Sequence, residues 1–71
     1  MSVLVEAQVT GRVVRIEAKV GDAVAVDDVL LVLESMKMEI PVESPSAGSL
    51  SEIRVAEGDS VEEGDVLAVL A

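Results

Sequence analysis

The 71-residue chain has no cysteine, no histidine and no aromatic residue, and only five of its residues are basic. Each absence removes a class of answers. Without cysteine there is no disulfide staple and no thiolate chemistry. Without histidine there is no imidazole metal ligand, and the commonest general base is missing. A net charge of -9 with no ring to stack on excludes a nucleic-acid surface, because phosphate contacts need cations and single-strand platforms need aromatics. The same charge opposes anionic membranes, and no apolar run approaches the roughly 20 residues that span a bilayer. The opening "MSVLVEAQV" lacks the basic start of a secretory signal. The expected setting is a soluble, cytoplasmic protein, monomeric in isolation.

What remains must hold the fold by packing alone. Hydrophobic residues make up 51% of the chain, led by fifteen valines and seven leucines. β-Branched residues suit a pleated, half-buried surface, so the expected class is all-β. At this length residues 1–71 form one small domain near the lower limit for a single core.

The chain is also written twice. A shift of 37 residues lays Gly11, Ile16, Gly21, Asp22, Val24, Asp28, Val29, Leu30, Val32 and Leu33 on Gly48, Ile53, Gly58, Asp59, Val61, Asp65, Val66, Leu67, Val69 and Leu70. Those are ten identities in 24 aligned positions without a gap, and the register extends backward so that residues 1–34 repeat as 38–71. Such a repeat predicts two antiparallel four-stranded sheets related by a quasi-twofold, closed into a flattened β barrel or sandwich. Turn signals at "VGDAV" and "EGDSV", then at "VDDV" and "EEGDV", place strands near 2–8, 11–18, 28–34, 38–43, 48–55 and 65–70. Short bridging strands are expected near 23–26 and 60–62, and "SPSA" at 44–47 is the loop between halves. Pro41 marks its strand as an edge or an end. Period-two alternation makes Leu30, Val32, Leu67 and Val69 the core face.

Between the halves lies "ESMKME", residues 34–39. If strands 28–34 and 38–43 form a hairpin, its tip spans 35–38 around Met36-Lys37, and a two-residue loop there needs positive φ, which Asn-Gly supplies and Met-Lys does not. Local rules fail this way at functional sites. The plainer reading is a looser four-residue turn whose methionines dip into the core beside a solvated lysine. The repeat relates position 37 to the gap between the chain ends, so a group on this turn projects away from any tether.

The stretch "ESMKMEI" resembles the acceptor sequence of biotinyl domains, Glu-Ala/Ser-Met-Lys-Met. The likeness covers essentially the whole chain and is nearest to the small stand-alone biotin/lipoyl attachment proteins of bacteria. It implies a biotin carboxyl carrier: Lys37 bears covalent biotin, and Glu34, Ser35, Met36, Met38 and Glu39 are read by a biotin protein ligase. The implied partners are that ligase and the biotin carboxylase and carboxyltransferase of a biotin-dependent carboxylase, whose acceptor is usually an acyl-CoA. Two departures stand out: Ala7-Gln8-Val9 replaces a common Ala-Pro-Met, and no room exists before Gly21-Asp22 for a protruding thumb loop.

A carrier needs no catalytic group of its own. A solvated lysine amine is almost wholly protonated at neutral pH, so the ligase must supply the deprotonation and the activated carbonyl, while the domain supplies position. Ser35 has no base partner. The acidic pairs Asp27-Asp28 and Glu62-Glu63 lack EF-hand spacing and read as solvent-facing charge, so no metal site is expected. Two other readings compete. Lipoylation would make the domain a swinging arm of a 2-oxo acid dehydrogenase or glycine-cleavage type system, although lipoyl acceptors usually read Asp-Lys-Ala. The third is an unmodified adaptor domain.

Overall fold

Each half of the chain builds the same four strands because the same residues punctuate it. The computed structural model describes residues 2–71; Met1, the first residue of the expected first repeat, lies outside them. The strands are β1 (Val3–Glu6), β2 (Gly11–Ile16), β3 (Ala23–Val24), β4 (Val29–Ser35), β5 (Met38–Glu43), β6 (Gly48–Ile53), β7 (Ser60–Val61) and β8 (Val66–Leu70). They form two antiparallel four-stranded sheets, in the orders β1-β8-β6-β3 and β5-β4-β2-β7. The shift of 37 residues that aligns the sequence turns the first order into the second. It carries the pairing too: Val3↔Leu70 becomes Leu33↔Ile40, and Val24↔Gly48 becomes Gly11↔Val61. β5 is an edge strand, which is where Pro41 can sit without costing a ladder hydrogen bond.

The repeated aspartates close the turns. The Asp22 and Asp59 carboxylates accept the backbone N–H groups of Lys19 and Ala56, each at 2.9 Å. Asp28 and Asp65 do the same for Ala25 and Glu62, at 2.9 and 2.8 Å. A short acidic side chain that folds back on its own turn accounts for these identities without a metal. Gly21 and Gly58 precede the first of these aspartates with φ of 98° and 96°, and nothing lies within 4 Å of a Cβ built on either. An alanine there would meet strain alone. Gly21→Ala and Gly58→Ala should therefore each lower unfolding stability by about 1–2 kcal/mol, and by similar amounts, in urea denaturation. Widely different losses would mean that the two turns are not mechanical equivalents.

The expected core face needs correction. Leu30, Val32, Leu67 and Val69 are all buried, but the central cluster takes Leu30, Leu31 and Leu33 with Leu67, Ala68 and Leu70, and leaves Val32 and Val69 outside it. A β-bulge is the reason. The register between β4 and β5 skips Leu30, whose carbonyl accepts N–H groups from Glu17 at 2.9 Å and Ala18 at 3.1 Å. The extra residue puts Leu30 on the same side as Leu31, so the alternation slips once and then resumes. The β1–β8 pairing skips the mate, Leu67, in the same way. Val32 faces outward between Arg15 and Pro41, its partners in register, and is covered by them rather than by the core.

Candidate functional site

Strands β4 and β5 are joined by the tightest loop a hairpin allows. Ser35 pairs with Met38, which leaves Met36 and Lys37 as a two-residue tip. Their φ values are 53° and 66°, both in the left-handed region, so the turn is type I′ and follows the natural twist of the strands. Neither residue is suited to it: each left-handed L-residue without a compensating hydrogen bond costs roughly 1 kcal/mol. The ladder beneath holds the strain in place, with Glu34↔Glu39, Leu33↔Ile40 and Val32↔Pro41 in register below the tip.

This geometry rejects the plainer reading of the turn. Met36 is 92% exposed and Met38 65% exposed, so neither methionine dips into the core. Lys37 is exposed between them. Two exposed thioether side chains thus flank the amine in sequence and add adaptable apolar surface beside its charge. Glu34 and Glu39 are exposed and face each other across the hairpin, while Ser35 is half-buried at the closing pair. The six residues of "ESMKME" thus share one protruding end of sheet β5-β4-β2-β7.

Strand β2 supports that end from the other side. Arg12 is opposite Glu34 in register, with Nη2 3.9 Å from Oε1. Arg15 reaches across β4 to Glu39, with Nη2 3.4 Å from Oε1, and its Nε lies 3.8 Å from Glu17. Gly11 lets the strands approach: a Cβ there would collide with the carbonyl oxygen of Glu34 and sit 3.4 Å from the Ser35 Cβ. Its mate Gly48 faces the milder obstacle of the Ala71 carbonyl at 2.9 Å. Gly11→Ala is expected to cost about 1–3 kcal/mol and to shift the foot of the hairpin, visible as altered amide NMR signals at residues 34–39, with a smaller loss for Gly48→Ala. Equal losses with an unmoved hairpin would contradict this account.

The residues singled out from the sequence are together at the tip. Arg12, Arg15 and the close approach at Gly11 were not foreseen. Only the repetition of Gly11 as Gly48 hinted at the last, since cross-strand partners become visible once register is known. Among the described residues, no cluster of three or more acidic side chains is arranged to hold a metal ion.

The family described as "Biotin-requiring enzyme" matches residues 1–70. The chain belongs to that family. Membership makes it a carrier domain with no catalytic site of its own, in a family whose covalently attached group is biotin. It is 42% identical over 67 residues to a "Biotinylated protein TB7.3 homolog" of Mycobacterium leprae, covering 94% of both chains. It is 40% identical over 67 residues to a "Biotin/lipoyl attachment protein" of Bacillus subtilis, covering 94% of this chain and 92% of that one. Among solved structures, the Kluyveromyces lactis urea carboxylase contains a region that superposes with a TM-score of 0.96 at 35% identity. The match covers all of this chain and 6% of the carboxylase, so the same two-sheet architecture occurs as one region of a larger enzyme.

Proposed function

We propose that Lys37 is the residue that carries biotin, and that the domain works as a biotin carboxyl carrier between the biotin carboxylase and carboxyltransferase of a biotin-dependent carboxylase. The observation that supports this most directly is the strained type I′ tip, which holds an exposed amine between two exposed methionines. The Lys37 amine attacks the activated carbonyl of a biotinyl adenylate held by a biotin protein ligase. A C–N bond forms, AMP leaves, and a proton is released. Met36 and Met38 give the ligase its apolar grip, while Glu34, Ser35 and Glu39 frame the approach. When bound, biotin supplies a ureido nitrogen that accepts and releases a carboxyl group. The chain's own part is to remove the ammonium charge by amide formation, to hold the arm clear of both sheets, and to present it from a rigid hairpin to successive active sites. On this reading the domain acts as a cytoplasmic monomer with no nucleic-acid or membrane partner, in keeping with its net charge of -9.

A second reading is favoured by the Bacillus relative, which is named for both groups. Lipoylation of Lys37 would use the same tip. Intact mass after expression with an active biotin ligase, and separately with a lipoyl ligase, decides between them. One biotinyl increment on the Lys37 peptide is the expected result. A lipoyl increment alone would replace biotin with lipoyl as the cargo, and no increment with either ligase would reduce the domain to an unmodified adaptor.

A further inference from the structure

Two carboxylates stand close to Lys37 in sequence, Glu34 three residues before it and Glu39 two after. They are also directly opposite each other, one pair below the closing pair of the hairpin. A long, flexible ammonium side chain beside two unpaired carboxylates would fold back onto them. Such pairing would hold the amine in its charged form and away from an incoming carbonyl. Two like charges facing across a ladder also repel each other, which would splay the hairpin foot.

Neither consequence is seen, and the pairing continues past the two carboxylates to Ser35↔Met38. Glu34 is paired with Arg12 and Glu39 with Arg15, and among the described residues Lys37 makes no ion pair. The two carboxylates stay neighbours across β4 and β5, and each meets one arginine from β2, the strand on the far side of β4 from β5. The twofold mates of Arg12 and Arg15 are Ser49 and Glu52, so the repeat does not dictate this arrangement; it belongs to the acceptor end alone. We infer that Arg12 and Arg15 are positioning residues that hold the Glu34 and Glu39 carboxylates off the Lys37 amine and so keep it unpaired for acylation. The inference rests on the reading of Lys37 as the acceptor.

The test uses a reagent that no ligase has to recognise. Limiting succinimidyl acetate is added to the unmodified domain at low ionic strength. A lysine amine attacks the ester carbonyl, N-hydroxysuccinimide leaves, a proton passes to the buffer, and peptide mass spectrometry gives the ratio of acetylation at Lys37 to that at Lys19. Both arginine side chains are at least half exposed, at 61% and 50%, and neither belongs to the core cluster, so the variants fold. Arg12→Gln/Arg15→Gln should lower the ratio about twofold to fivefold, the size expected for exposed ion pairs, and high salt should restore it. Arg12→Lys/Arg15→Lys should keep the wild-type ratio. An unchanged ratio in the glutamine variant, or a fall that persists in high salt, would overturn the inference. A wild-type domain that takes biotin on Lys37 while the ratio stays unchanged in the variant loses only this inference. One that takes no biotin but shows the salt-sensitive fall loses the acceptor reading and keeps the charge arrangement.

Discussion

Lys37→Arg should yield a domain that folds as the wild type does and takes up no biotin. The side chain is exposed at a turn whose conformation depends on backbone and ladder, so arginine removes no packing. What it removes is a usable nucleophile, because a guanidinium stays protonated throughout the accessible pH range. Intact mass after incubation with ligase, ATP and biotin checks this, and Lys19 serves as the internal control. Biotin on Lys19 in the variant would mean that the ligase accepts any exposed amine. A stricter version exchanges the tip residues, Met36→Lys with Lys37→Met. Both positions have positive φ, so the turn survives the exchange while the amine leaves from the neighbouring α-carbon. Transfer should fall nearly to zero, since misplacing a reacting group by an ångström or more forfeits much of the advantage of holding it in place. Efficient biotinylation of the exchanged protein would show that the ligase reads exposure rather than geometry, and the argument from the type I′ tip would have to go.

The other large effect is on stability. Leu33 and Leu67 are fully buried in the central cluster, one from each half, and no disulfide shares the task of holding the sheets together. Leu33→Ala or Leu67→Ala should each cost about 2–5 kcal/mol. Small domains have little beyond about 5 kcal/mol to lose, so either variant should be largely unfolded at 37 °C by circular dichroism. Val32→Ala provides the contrast. Val32 is buried but lies outside the cluster, under the side chains of neighbouring strands, so its truncation should cost about 1 kcal/mol and leave the domain folded. Matching urea midpoints for Val32→Ala and Leu33→Ala would remove the distinction between the two faces of β4.

All eight strands were legible from the repeat and its Gly-Asp punctuation, because a turn that needs a left-handed glycine and an acceptor aspartate announces itself in residue types. Strand ends were less so. The stretches expected to run to 8, 18 and 55 stop at Glu6, Ile16 and Ile53, where the chain leaves the ladder for the turns. The choice of core face held at Leu30 and Leu67 and failed at Val32 and Val69, since the bulge at the two leucines inserts an ordinary residue and shows only in the pairing. At the site, Met36-Lys37 stood out because it breaks the rule for two-residue hairpin loops, and the resemblance of "ESMKMEI" to biotinyl acceptor sequences gave the lysine and its two methionines their expected roles. Arg12 and Arg15 stayed hidden, because a cross-strand ion pair depends on register, and one residue of slip would send both guanidinium groups to the wrong face.

The quasi-twofold has a consequence for how the domain is handled. Its backbone offers a visitor two almost interchangeable grips, and an arm carried on Lys37, as proposed above, marks one of them. A partner that held only the scaffold would seat it backwards as often as forwards, with the arm pointing away from the active site. Orientation must therefore be read from the side chains in which the halves differ: Arg12, Arg15, Glu39 and Pro41 at one end, against Ser49, Glu52, Ser2 and Leu4 at the other. Polarity in this molecule is a property of its surface chemistry, laid over a frame that has almost none.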